Sequence, residues 1–330
     1  MFIDVSSTPD CRELITRIQQ TLSAKGYDVQ KIQEAPKPFP LDDAGIFEGL
    51  CEAILTRQAS WASVQKILPA LKISLFNYDV NKVSALADSD IKALSNQYKG
   101  KVKARFFENE LFAIRDNAKV FQKIMSEYGS VCAFIKSYLP AQSYDQSCNC
   151  YIRPADDPLI KCFIDRDSTF KLHDVGLAIC CEFFNNIGID EFKPDVHTTR
   201  FLNRVNLNRG TVRVSEEDRD VRKIGILIAE TLQKPRKYVD SHIWCFCAEG
   251  EGEICTENDP KCDSCMLIKQ PQLCPGFPNM TQIVKNPLGA AKRFHECNLT
   301  RKEASKKMKR VGLALNKIDE ILSEVYGNSE

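Results

Sequence analysis

With 330 residues, 43% of them hydrophobic, the chain is long enough to bury a large core and to divide it between two lobes. Its 45 Lys and Arg nearly cancel 44 Asp and Glu, which excludes a disordered polyelectrolyte and leaves nucleic-acid binding to the placement of charge rather than its sum. No apolar run reaches membrane-spanning length, and the start MFIDVSSTPDCREL lacks a basic segment followed by an apolar core, so a cytoplasmic protein is expected. Fifteen cysteines, scattered through helical patterns such as Cys51, Cys132 and Cys180-Cys181, suit buried thiols in a reducing compartment better than a disulfide framework.

In chain order, Leu14, Ile15, Ile18 and Leu22 predict an amphipathic helix that ends at Gly26 and runs into a Pro-rich linker, Ala35 to Pro40. A strongly helical stretch follows from Asp43 through Leu55. After a break at Gln58-Ala59-Ser60, Trp61, Val64, Ile67, Leu68 and Leu71 mark a second helix. Further helices are expected at 79–87, 88–97, 103–128 and 130–138. No strand pattern stands out, so the expected fold class is all-α. Residues 140–170 read as a long polar loop with one short helix, in which Cys148 and Cys150 stand too close for a metal pair and are taken as structural thiols.

The stretch from Lys171 to Arg204 organises the rest. Leu172-His173-Asp174-Val175-Gly176 is a short turn opening a helix with Ile179, Cys180, Phe183, Phe184 and Ile187 on its apolar face, closed by Gly188. Such a turn points backbone N–H groups outward, where they bind a phosphate without reading sequence. Behind it, Pro194-Asp195-Val196-His197 restarts the chain and sets Asp195 at the N-terminus of a second helix carrying Arg200, Phe201 and Arg204. There Asp195 either caps its helix through the Thr198 amide or supplies a catalytic carboxylate.

The strongest chemical signal is Cys255-x6-Cys262-x2-Cys265-x8-Cys274. Four thiolates in a compact, proline-set loop can enclose an iron–sulfur cluster or a zinc ion, and Cys245 and Cys247 stand near enough to substitute for one ligand. From Lys285 to Lys317 a basic stretch lies on a helical pattern with Val311, Leu313, Leu315, Ile318 and Leu322 on its apolar side; it suits either phosphate contact or a solvated face.

The turn 172–176, the segment Asp195-x-His197-x-x-Arg200 and the four-cysteine loop together resemble the helix-hairpin-helix DNA glycosylases, endonuclease III among them. Residues 45–140 also resemble 3-methyladenine DNA glycosylase I. The resemblance implies a two-lobed fold. In it, 1–40 form a helix and linker packing on the cluster lobe, and 41–192 a six-helix lobe ending in the hairpin. Residues 193–282 then hold the catalytic-Asp helix and cluster lobe, and 283–330 a basic C-terminal helix. It implies Asp195 as the catalytic residue, and a [4Fe–4S] cluster on Cys255, Cys262, Cys265 and Cys274, with zinc as the alternative. DNA contacts would come from Leu172, Asp174, Val175, Gly176, Ala178, Gln58, Trp61 and Arg200. Trp61 either stacks on the extruded base or serves the core.

Two departures from the family pattern matter. Ala178 stands where bifunctional members carry a Schiff-base lysine, which implies a monofunctional, hydrolytic enzyme working as a monomer on a damaged base in double-stranded DNA. Asp174 stands where the family has glycine, and brings a negative charge toward the phosphate. The alternatives are a bifunctional enzyme using a displaced lysine, or a non-catalytic DNA-binding or redox-sensing protein on the same fold.

Overall fold

A computed structural model describes residues 3–57, 61–102, 106–140, 143–154, 157–205, 207–208, 218–257, 259–269, 273–274, 276, 278, 280–296 and 299–327. The fold is all-α, with two small sheets. The chain opens with β1 (Ile3–Asp4) and α1 (Thr8–Ala24), whose N-terminus Ser7 caps by accepting from the Asp10 amide. Next come α2 (Asp43–Leu55), α3 (Trp61–Ser74), α4 (Val80–Ser84), α5 (Asp88–Tyr98), α6 (Phe107–Tyr128) and α7 (Val131–Ser137). After β2 (Tyr144–Asp145) and β3 (Cys150–Ile152) follow α8 (Pro158–Ile164), α9 (Leu177–Asn186) and β4 (Ile189–Asp190). The remainder is α10 (Val196–Arg204), β5 (Leu207–Asn208), α11 (Asp218–Leu232), α12 (Arg236–Cys247), α13 (Met280–Lys285), α14 (Pro287–Glu296), α15 (Arg301–Arg310) and α16 (Leu315–Tyr326).

These elements form two compact units. One comprises residues 1–33, 194–234 and 238–330; the other comprises 34–193 together with 235–237. The second is built around a single apolar core in which α2 and α9 supply Phe47, Leu50, Ile54, Phe183 and Phe184, all fully buried. The Pro-rich linker belongs to this unit: the Lys37 amide donates to Asn185 O at 2.9 Å. Gly188 makes that crossing possible. It sits at φ +79°, and a Cβ there would stand 2.6 Å from Phe39 N and 2.9 Å from Lys37 O.

In the same unit β2 and β3 pair antiparallel, and β3 pairs parallel with β4 in the register Tyr151 with Ile189 and Ile152 with Asp190. In the other unit β1 pairs parallel with β5. The sequence shows no strands because these have two or three residues each, too few to display a period-two alternation. A disulfide joins Cys148 and Cys150 and closes the turn between β2 and β3, where free thiols are expected from the sequence. A staple across one residue is no part of a disulfide framework, and only the folded turn reveals it. Among the described residues the other twelve cysteines are unbridged, and no helix is long and apolar enough to cross a membrane.

The unit holding both chain ends contains a separate C-terminal core, in which α13 to α16 pack around Ala291, Phe294, Ala304, Met308, Ile318 and Leu322. In that unit the first helix also faces the cysteine loop: Thr21 Oγ1 accepts from the Met266 amide at 3.0 Å, and the Tyr27 hydroxyl donates to Glu251 at 2.7 Å.

Candidate functional site

In residues 34–193 the turn 172–176 is held from beneath. Leu172 and Val175 are buried, while His173, Asp174 and Gly176 are exposed. Asp174 takes the left-handed conformation at φ +57°, and Gly176, extended and without a side-chain cap, opens α9. The buried Asn117 of α6 fixes the turn at two points: its Oδ1 accepts from the His173 amide at 2.6 Å, and its Nδ2 donates to His173 O at 3.0 Å. Lys171 ties the same turn from the other side, its Nζ donating to Leu172 O at 2.6 Å and Val175 O at 2.8 Å. The outward amides ahead of α9 are thus presented on a rigid turn.

The negative charge of Asp174 has a partner, because Arg57 Nη2 lies 3.4 Å from its Oδ2. Behind Arg57 stands Glu110 of α6, fully buried, with Oε1 3.9 Å from Arg57 Nε and, among the described residues, no hydrogen bond to either carboxylate oxygen. Burial pushes the Glu110 carboxyl up to about 7 against the pull of Arg57, and the charge of Asp174 adds to the rise. Sequence inspection misses Arg57, Glu110 and Asn117. The signal was there: Glu110 and Asn117 occupy the apolar stripe of α6 that Leu111, Ile114, Ala118 and Phe121 define, and a polar residue in such a stripe must find a buried partner or carry strain.

In the other unit Asp195 caps α10. Its Oδ1 accepts from the His197 amide at 2.8 Å and the Thr198 amide at 3.0 Å, and the Thr198 hydroxyl accepts in return from the Asp195 amide. The carboxylate is only half-buried, at a helix N-terminus that favours its charge. Arg200 faces the cysteine loop: Nε donates to Cys255 O at 3.0 Å and Nη2 to Cys247 O at 3.4 Å, while Nη2 also meets His197 Nδ1 at 2.9 Å. Arg204, nearly fully buried, clamps the same strand of the loop. It donates to Thr256 O at 2.7 Å, Glu257 O at 3.1 Å and Cys255 Sγ at 3.3 Å.

Cys255, Cys262, Cys265 and Cys274 all line one small cavity, walled by Phe201, Phe246 and Leu267. Cys245 and Cys247 do not line it; Cys245 accepts instead from the Tyr27 hydroxyl at 3.4 Å. The Cys247 thiol and the Arg204 guanidinium hold the Cys255 thiol below the usual thiol range against the effect of burial, and the Gly276 amide lies 3.4 Å from Cys274 Sγ. Among the described residues no three His, Cys, Asp or Glu side chains converge closely enough to hold a single metal ion. The thiols stand around a void rather than at a point.

Trp61 begins α3 and packs, partly buried, on the core of its unit. Gln58 lies outside the described residues. Ala178 is half-buried in the first turn of α9. The nearby lysine Lys193 pairs at 3.4 Å with Glu182; burial works to raise that carboxyl, but Lys193 and Lys237 hold it down at about 2. Asp195 and the turn 172–176 fall in different units, as do the turn and the cysteine loop.

Residues 36–190 match the family model of the methyladenine glycosylases. That segment is similar to the methyladenine glycosylases. It spans just under half of the chain, coincides closely with the unit 34–193, and contains the turn 172–176 together with Asn117, Glu110 and Arg57. It stops before Asp195 and the four cysteines, so the endonuclease III likeness of residues 194–282 rests on their own spacing.

Among solved structures, 3-methyladenine DNA glycosylase I from Staphylococcus aureus is similar at 20% identity, covering 47% of this chain and 81% of that one, with a TM-score of 0.38. A Glu-to-Gln variant of the same enzyme is similar at 23% identity over 32% of this chain, with a TM-score of 0.28, and the aligned part spans 55% of that structure's length. No curated protein matches the chain.

Proposed function

We propose that the protein is a monofunctional DNA glycosylase of base-excision repair, hydrolysing the N-glycosidic bond of an alkylated purine turned out of duplex DNA. The observation that carries this reading is the methyladenine-glycosylase match over residues 36–190, which includes the turn 172–176 with its outward amides. The turn binds a phosphate of the duplex, as a helix-hairpin-helix does, and Asp195 is the carboxylate that this reading assigns to the chemistry. Bond cleavage builds positive charge on the sugar; the Asp195 carboxylate stabilises it and orients the attacking water, whose proton it accepts. An alkylated purine leaves readily, so one carboxylate suffices, and a damaged base costs less to unstack. Hydrolysis rather than lyase chemistry is supported by Ala178 and by the engagement of Lys171 and Lys193 in the turn and in the Glu182 pair.

The same reading assigns a [4Fe–4S] cluster to Cys255, Cys262, Cys265 and Cys274. An all-thiolate donor set around an apolar void, with Arg204 and the Gly276 amide donating toward sulfur, supports such a site, with zinc as the alternative occupant. When bound, such a cluster supplies folding energy to the loop and, within this scheme, no step of the hydrolysis.

The test is a panel of duplex oligonucleotides, each with one modified base, scored for alkali-labile abasic sites with wild type and Asp195→Asn. Asn caps a helix as well as Asp does, so the variant is expected to fold and bind while excision falls by a factor on the order of a thousand or more. Borohydride is expected to trap no covalent complex on abasic DNA. Undiminished excision by the Asn variant would reduce Asp195 to its capping role.

A further inference from the structure

Helix α15 divides its surface between two faces. Ala304 and Met308, four residues apart, are fully buried in the C-terminal core, while Lys302, Lys306, Lys309 and Arg310 recur at the same helical spacing on the opposite, exposed side. Lys317 adds an exposed cation on the first turn of α16. The stretch 301–318 contains one acid, Glu303, and its carboxylate accepts from the Thr300 amide at 2.8 Å in the cap of α15. Asp319 and Glu320 follow on α16, so the excess of cations lies on α15, and its own core fixes it. Lys307 donates to Glu257 O at 3.4 Å and Arg310 pairs with Glu257 at 3.2 Å, which ties the helix to the loop just past Cys255.

The connection between the helices repeats the backbone of the turn 172–176. Gly312 is left-handed at φ +81°, as Asp174 is at +57°. Leu313 follows, partly buried against the core, where Val175 follows Asp174. Ala314 then opens α16 in an extended conformation with no side-chain cap, as Gly176 opens α9. The first amides of α16 have no side-chain cap, and Gly312 brings no charge where Asp174 brings a negative one.

We propose that α15, this turn and the first turn of α16 form a second contact surface for duplex DNA, which holds the phosphate backbone without reading sequence. It rests on the reading of DNA as substrate but on none of the candidate catalytic residues. Four exposed cations over residues 302–310, about 12 Å of helix, stand about 3 Å apart along the axis, near the phosphate spacing along one strand of a duplex. A duplex fits better than a single strand, because residues 301–318 include no aromatic side chain on which an unstacked base could lie.

The experiment measures binding of the full chain to an undamaged duplex by fluorescence anisotropy over a range of salt. Combined Lys302→Gln, Lys306→Gln and Lys309→Gln is expected to weaken binding at least about tenfold at 0.1 M salt and to flatten the log–log salt slope by roughly two to three. Gly312→Asn and Gly312→Asp separate charge from backbone, since both residues tolerate the left-handed region. Asp is expected to weaken binding several-fold and Asn to leave it near wild type, with circular dichroism melts checking the fold. An unchanged salt slope in the triple variant overturns the surface, equal losses for Asn and Asp overturn the role of the turn, and tighter binding of single-stranded RNA than of duplex overturns the partner. If no base is excised yet the triple variant loses duplex binding, the glycosylase reading fails and this surface stands; if excision proceeds and binding is unmoved, the reverse holds.

Discussion

Glu110 sits in an environment its type disfavours: a carboxylate with no exposed surface and, among the described residues, no hydrogen bond, held 3.9 Å from one guanidinium. Folded, it keeps its proton up to about pH 7, whereas in the unfolded chain it releases it near 4.5. The folded state therefore binds more protons between those values. The stability this contributes is fully present below pH 4.5 and is lost as pH rises through 7. Glu110→Gln removes the titration while keeping the shape. Denaturant melts from pH 5 to pH 8 are thus expected to show wild type falling relative to the variant by on the order of 1–3 kcal/mol. Parallel pH profiles for the two proteins would mean that Glu110 is ionised throughout and that Arg57 outweighs its burial.

At the scale of elements, the turn between α8 and α9 combines a rigid seat with a charge that works against its proposed ligand. Asp174 repels a phosphate directly and also pairs with Arg57. Asp174→Asn keeps a residue suited to φ +57° and removes both effects, so duplex affinity is expected to rise several-fold at low salt, with the gain fading as salt screens it. Weaker binding by the Asn variant would show that Asp174 positions Arg57 rather than opposing the phosphate.

Most of this element was legible. Val175 and Gly176 mark the turn, the apolar spacing of Cys180, Phe183 and Phe184 marks the helix, and Gly188 marks its end. What holds the turn was not legible. Asn117 lies 56 residues from His173 and Arg57 lies 117 from Asp174, and a single sequence carries no record of contacts at such separation. That the four cysteines come together was readable because their spacing is local, whereas the Arg204 clamp on Cys255 spans 51 residues and escaped notice. The strands escaped because they are shorter than the period that would announce them.

For the whole molecule the consequential feature is the path of the chain, which leaves one unit at residue 33, builds the unit that matches the methyladenine glycosylases, and returns at 194 to complete the unit it began, apart from residues 235–237. Helix α1 is buried there through Cys11, Leu14, Ile15, Ile18 and Leu22, and it reaches the loop of the four cysteines through Thr21 and the Met266 amide. Tyr27 reaches Cys245 and Glu251 just ahead of that loop. Removing residues 1–33 strips that cover while leaving every residue of 34–193 in place. Purified full-length protein is expected to contain iron and sulfide in the ratio of one four-iron cluster, and both Cys262→Ser and the deletion are expected to lose it, because a loop without its packing cannot hold four thiolates in register. Calorimetry of the deletion is expected to retain a transition for the residue 34–193 unit and to lose the other. Iron retained at full stoichiometry after the deletion would show that the loop, Arg204 and α12 hold the site without the N-terminal helix; stoichiometric zinc in wild type would keep the four-cysteine site and replace its occupant.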